Sequence, residues 1–174
     1  VWSVDAAYDF NAMSMYGNVT SISESPKVKG LIYAGTDDGL IQVTEDGGKN
    51  WRRIENIYGV PSLAFVNDIK ADLFDPNTVY AALDHHKEGD YQPYLIRSTD
   101  RGITWENIGK NLPDRHLVWR VIQDHKEKNL LFAATESGVF VTLNAGESWI
   151  MMGAGTPNIP FRDLEIQRRE TDLG

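Results

Sequence analysis

Thr44-Glu45-Asp46-Gly47-Gly48-Lys49-Asn50-Trp51, Ser98-Thr99-Asp100-Arg101-Gly102-Ile103-Thr104-Trp105 and Thr142-Leu143-Asn144-Ala145-Gly146-Glu147-Ser148-Trp149 are three copies of one pattern, Ser/Thr-x-Asp/Asn-x-Gly-x-x-Trp. Their central residues lie 54 and 44 positions apart. Self-similarity at such periods marks stacked supersecondary units. The chemistry is that of a self-supporting hairpin turn: the acid or amide accepts backbone N–H groups two residues on, and the glycine takes the positive φ of a tight reversal. The hydroxyl adds a local bond. The tryptophan opens the next strand, with roughly 150–250 Å² to bury and an indole N–H for a carbonyl near the turn. Thr44, Asp46, Gly48 and Trp51, with Ser98, Asp100, Gly102 and Trp105 and with Thr142, Asn144, Gly146 and Trp149, therefore read as structural staples. A catalytic or calcium role is disfavoured because Asn144 replaces the acid in the third copy.

What flanks each box repeats too. Leu31–Thr36, Val79–Leu83 and Leu130–Thr135 are apolar, aromatic-containing runs of strand length. A strand precedes each of them, Val19–Ser23, Val66–Lys70 and Val118–Ile122, and turn residues join the two. In two units a turn, Asp37-Asp38-Gly39 or Glu136-Ser137-Gly138, leads to a third strand that enters the box. One unit is thus strand a, b, c, box and strand d. The implied fold is all-β, a β-propeller segment of about three four-stranded antiparallel blades with partial blades at each end.

With Tyr33–Gly39, Pro93–Gly102 and Asn111-Leu112-Pro113 added to the boxes, the chain resembles the Asp-box (BNR-repeat) β-propellers. That group includes sialidases, xyloglucan-active glycosidases and sortilin/VPS10 domains, and the narrower likeness is to exported bacterial propeller proteins labelled glycosyl hydrolase or sortilin-like. The resemblance implies export to the periplasm, cell surface or medium. It also implies that strand a lines the channel, that a–b turns and boxes share the bottom end, and that ligands meet the top end of b–c and d–a turns. Fold alone is nearly silent on activity.

The repeats divide the chain into a lead-in from a preceding blade (1–17), blade one (18–57), blade two (58–113), blade three (114–157) and the first strand of a further blade (158–174). Closed propellers usually need at least four blades, so an incomplete ring is expected, with its remaining blades supplied by the same or another chain. Net charge is −8, with no basic cluster interleaved with aromatics, which argues against nucleic acid. No run approaches a membrane span, and the lack of cysteine excludes disulfides and thiol chemistry. No cofactor or metal ligand set is read.

Two top-end features carry candidate chemistry. From Ala82 to Ser98 is 16 positions, against 9 and 8 at the equivalent places, so blade two holds an insertion in its b–c turn, 84–93. Asp84, His85, His86, Asp90 and Tyr91 lie there as ligand-binding candidates, the two histidines pointing to opposite sides of an extended segment. Superposing the a strands on Val19/Ile22, Val66/Ile69, Val118/Val121 and Phe161/Leu164 puts Ser21, Asp68, Arg120 and Asp163 at one level, and Thr20, Asn67, Trp119 and Arg162 at the next. Asp68 and Asp163 flanking Arg120 form either an ion-paired channel wall or a glycosidase carboxylate pair. Trp119 and Arg162 are binding candidates beside them. His116 falls at the top rim, while His125 at a bottom turn and Met13, Met15, Met151 and Met152 read as surface and packing residues. Trp2, without a box around it, fits an incoming strand.

Two functions remain. The first is a non-catalytic exported propeller binding protein, peptide or glycan through its top face. The alternative is part of a glycoside hydrolase, sialidase-like or xyloglucanase-like, with Asp68 or Asp163 as acid/base and Trp119 as a sugar platform.

Overall fold

Every connection between neighbouring apolar runs is short, so each run pairs antiparallel with the next in sequence. In the computed structural model, which describes residues 17–153 and 155–167, this gives three four-stranded sheets with strands in chain order. Blade one holds β1 (Val19–Glu24), β2 (Ile32–Thr36), β3 (Ile41–Thr44) and β4 (Arg52–Ile54). Blade two holds β5 (Phe65–Ala71), β6 (Val79–His85), β7 (Asp90–Ser98) and β8 (Glu106–Asn107). Blade three holds β9 (Val118–Gln123), β10 (Leu131–Thr135), β11 (Gly138–Thr142) and β12 (Ile150–Met151). The lead-in 1–16, with Trp2, Met13 and Met15, lies outside the described residues. Residues 155–167 form no strand, since no second strand among the described residues offers them a ladder.

The boxes fold as one motif. The Thr44 hydroxyl donates to Asp46 Oδ1 (2.9 Å) and accepts the Gly48 N–H (2.9 Å), and Ser98 and Thr142 repeat both bonds. The Asp46 carboxylate accepts the N–H groups of Lys49 and Asn50, and Asp100 those of Ile103 and Thr104, so the acid caps groups three and four residues on rather than two. Two successive left-handed residues separate the acid from its donors: Gly47-Gly48, Arg101-Gly102 and Ala145-Gly146. That longer arc is the reason for the greater reach. The first of each pair also donates its N–H to the a–b turn of the same blade, at Gly30, Asn77 or Asn129, which puts boxes and a–b turns at one end.

Packing between blades follows from strand b. In β6, Val79, Ala81 and Leu83 face blade one while Tyr80 and Ala82 face blade three, so a central strand buried on both sides reads as an unbroken apolar run. Tyr33 and Tyr80 are equivalent and both buried, yet the Tyr80 hydroxyl donates to Asp72 Oδ2 (2.8 Å) whereas the Tyr33 hydroxyl meets no partner among the described residues. Burial pushes the Tyr33 phenol up to about 12.

All three inner strands carry a β-bulge at the same place. Pairing skips Thr20 in β1, Asn67 in β5 and Trp119 in β9. A bulge adds one residue to the period of two, so residues three apart share a face. This is why Val66 and Ile69, or Val118 and Val121, are all fully buried at the interblade surface.

Tyr33→Phe, which removes an unpartnered hydroxyl, is expected to leave stability unchanged or slightly raised, while Tyr80→Phe strips a donor from Asp72 and costs about 1–3 kcal/mol by urea denaturation. The box carboxyls give a pH signature. The Asn50 N–H and side-chain amide and the Thr44 hydroxyl hold Asp46 at about 2, below its ordinary 3.8. At Asp100 burial opposes the shift, but Thr104, Ser98 and Ile103 still bring it to about 2. A carboxyl depressed on folding stabilises above its unfolded value, and that contribution is lost as pH falls through the folded one. The denaturation midpoint should therefore drop from pH 4 to 2, and the double variant Asp46→Asn, Asp100→Asn should flatten that drop.

Candidate functional site

The extra residues of blade two do not form a loop. They lengthen the β6–β7 hairpin, which pairs as far as His85 with Asp90 and closes through a single 3-10 turn, His86–Glu88, with Gly89 left-handed at φ 80°. Asp84 and His85 are thus strand residues, and so are Asp90 and Tyr91. The continued apolar and aromatic content past residue 83 (Tyr91, Tyr94, Leu95) is the signal that a ladder rather than a loop follows.

The two histidines diverge. His85 lines a cleft of ≈ 270 Å³ between the tops of blades one and two, with Asp37, Leu63, Phe65 and Lys87 among its walls. His86 turns toward blade three. Its Nδ1 contacts the Asp84 carboxylate, itself only 2% exposed, and its ring meets Trp119 edge-on with centroids 6.1 Å apart. Asp90 is engaged within the hairpin, accepting the Tyr94 hydroxyl (2.5 Å) and the Gln92 N–H (3.0 Å). The Tyr94 phenol is pushed up by burial and by that carboxylate. Tyr91 is exposed, with the Arg115 guanidinium 5.3 Å from its ring centre.

Trp119 sits at the bulge of β9, and the bulge aims it. Its counterparts are spent on the next blade: the Thr20 hydroxyl donates to Val66 O (2.6 Å) and the Asn67 amide to Val118 O (2.9 Å). The Trp119 indole instead donates to Glu136 Oε2 (2.9 Å) in the b–c turn of its own blade. The Arg162 guanidinium lies 3.6 Å from the ring centre and 3.7 Å from Glu136. Asp84, His86, Trp119, Glu136 and Arg162 therefore converge at one top-end site. Sequence reasoning does not single out Glu136; its place in Glu136-Ser137-Gly138, matching Asp37-Asp38-Gly39 of blade one, is the signal available there. His116 stands edge-on to Phe140, and His125 lies at the other end, beside Lys70 and Gln123.

The level below is a chain of bonds across the arc. Asp68 is fully buried, and its oxygens accept the Ser21 hydroxyl (3.2 Å), the Val121 N–H (3.2 Å) and Arg120 Nη1 (3.4 Å). Arg120 Nε donates to Asp163 (2.8 Å). Burial pushes the Asp68 carboxyl up; Lys70, Val121 N–H, Arg120 and Ser21 pull the other way. The Arg120 hydrogen bond holds Asp163 down, and Asp163 in turn raises Arg120. A buried carboxylate with three hydrogen-bond donors and the Lys70 ammonium 3.7 Å away has no route to a substrate, so the geometry fits the channel wall rather than an acid/base pair. Asp163 is exposed, and the Arg162 guanidinium covers a face of Trp119 that the sugar-platform reading leaves open. Among the described residues no cluster of three metal-ligating side chains occurs.

The sequence pattern of the BNR/Asp-box repeat family matches residues 96–107. A xyloglucanase of Hypocrea jecorina is 30% identical over 137 residues, 70% of this chain and 16% of that protein. Xyloglucanase Xgh74A of Acetivibrio thermocellus is 29% identical over 134 residues, again 70% and 16%. The chain spans about a sixth of the length of these curated relatives. Among solved structures, an ancestral GH74 enzyme superposes with TM-score 0.64 at 16% identity over 86% of this chain and 20% of the other. The GH74 xyloglucanase of Xanthomonas campestris gives 0.61 at 13% over 80% and 24%. YCF48 bound to D1 peptide gives 0.57 at 16% over 76% and 39%. The chain belongs to the Asp-box (BNR-repeat) β-propellers, and the curated relatives named above are xyloglucanases.

Asp68→Ala should lower stability by about 3 kcal/mol or more, because it leaves Ser21, Val121 N–H and Arg120 without their shared acceptor. Asp163→Ala should shift the urea midpoint far less; equal shifts would contradict the keystone role of Asp68.

Proposed function

We propose that this arc is the non-catalytic, glycan-contacting part of an exported propeller related to glycoside hydrolases, with the ligand crossing the top end at Trp119. The observation that carries the reading is the diversion of Trp119 from the interblade bond made by Thr20 and Asn67 to a polar surround of His86, Glu136 and Arg162. With Arg162 on one face of the ring, what is left for a pyranose is the opposite face, which suits its C–H groups, and the polar rim of His86, Glu136 and Arg162, which suits its hydroxyls. The xyloglucanase names of the relatives make xyloglucan the first glycan to try. The alternative, a glycoside hydrolase acting through Asp68 or Asp163, is weakened by the burial of Asp68 and the Arg120 bond to Asp163.

In affinity electrophoresis through xyloglucan, Trp119→Ala in the full-length protein should weaken retention about tenfold or more. Leu143→Ala, exposed at the box end, should leave it unchanged. Equal retention of both variants, or retention on an immobilised peptide library alone, defeats the glycan reading. If the full-length protein hydrolyses xyloglucan, Asp163→Asn is expected to stay within about twofold of native; a hundredfold loss would restore the catalytic alternative.

A further inference from the structure

We propose that the cleft between the tops of blades one and two is a second glycan site, in which Leu63 and the Phe65 ring form the floor for one sugar ring and Ser62, His85, Lys87 and Glu88 meet its hydroxyls. The proposal rests on the glycan reading of Trp119: one chain crosses the β6–β7 hairpin and touches both of its sides.

The hairpin builds two clefts from one set of parts. His85 faces the blade one side and His86 the blade three side. Each side holds an aromatic ring beside a cation: the Lys87 ammonium lies 5.2 Å from the centre of Phe65, and the Arg162 guanidinium 3.6 Å from that of Trp119. Lys87 is exposed and makes no ion pair among the described residues, so its ammonium can leave the ring for a sugar hydroxyl without breaking a bond. At ≈ 270 Å³ the cleft falls below the ~300–1,000 Å³ of drug-sized sites, which suits a single ring rather than a length of chain.

The backbone at the cleft is strained in favour of a side chain. The Ala64 N–H reaches Pro61 O (3.4 Å) and closes a turn whose third residue, Leu63, has φ 64°. Glycine adopts that conformation without steric cost, whereas a leucine is held there against its preference. Leu63 is 58% exposed, so no core packing offsets the strain, and its side chain lines the cleft. The next blade repeats the device. Arg115, three positions before Val118 as Leu63 is before Val66, also has φ 64° and holds its guanidinium 5.3 Å from the centre of the exposed Tyr91 ring. Of the polar walls, Asp37 is engaged by Gly17 and Asn18, and Asp84 by His86. The side chains of Ser62, His85, Lys87 and Glu88 bond to no other group among the described residues. A small apolar floor with four uncommitted polar groups around it matches a pyranose. A peptide fits less well, because strand addition needs an unpaired edge, and β6 pairs with β5 at Asp84 and with β7 at His85.

The adjacent histidines let one experiment read the two sides separately. In the full-length protein, diethyl pyrocarbonate modification is mapped by mass spectrometry with and without saturating xyloglucan. Both His85 and His86 should react about tenfold or more slowly with the glycan present, and His125, at the box end, should be unaffected. Protection of His86 alone overturns the second site and leaves the Trp119 reading standing, whereas protection of neither overturns both. Protection of His85 by a tryptic peptide mixture but not by xyloglucan overturns the sugar assignment. Leu63→Gly gives an independent reading: with the strain relieved, the thermal midpoint should hold or rise while retention on xyloglucan weakens about threefold or more. Native retention by Leu63→Gly sinks the second site even where Trp119→Ala weakens binding.

Discussion

A carboxylate with no exposure ties the arc together. Asp68 belongs to blade two, takes a hydroxyl from blade one, and takes a backbone N–H and a guanidinium from blade three. Burying such a group is costly unless each oxygen is met, and here one bonding scheme meets them while joining three sheets that share no ladder. Ser21 performs the same service one blade earlier with a neutral hydroxyl. The pair shows that the constraint is an acceptor at that position, facing the next blade's backbone, and that charge is added only where a third partner, Arg120, is present.

That acceptor reaches its target because of the bulge beside it. Skipping Thr20, Asn67 and Trp119 in the pairing turns two apolar residues three apart onto one face and frees the skipped side chain from the sheet. In two blades the freed side chain strengthens the interface. In the third it is an indole, which stands at the top end with Glu136, Arg162 and His86. A position used for packing in two blades carries, in the third, an aromatic ring set among polar groups. The boxes at the opposite end take no part in this: their polar groups bond within each turn, to the a–b turn beside it and to the adjacent blade, as Arg101 does to Glu45 and Arg97 to Ala145 O.

Much of this was legible residue by residue. The boxes announced three hairpins, and their glycines and hydroxyls, with the tryptophans Trp51 and Trp105, behave as such because the interactions are local, within eight residues. The level of Ser21, Asp68, Arg120 and Asp163 was also legible, since three-residue apolar spacing in a strand admits one alignment. That same spacing was the unread sign of the bulge. The 84–93 segment reads as a turn in sequence, yet polar residues such as His85 and Asp90 pair in a ladder once a partner strand lies opposite them. The Trp149 indole donates to Ile108 O of the preceding blade, whereas those of Trp51 and Trp105 stay within their own turns, a difference that no local pattern encodes.

The sequence by itself thus determined the repeat, the four-strand unit, the turn chemistry and the end at which each turn falls, all set by contacts between near neighbours in the chain. Only the tertiary structure decided which polar residues are consumed and which are presented. Asp68 is sealed because its burial and partners come from neighbouring blades 47 and 53 residues away, while Trp119 is half-buried among Glu136, Arg162 and His86, and a side chain's chemistry is settled by what surrounds it rather than by its type.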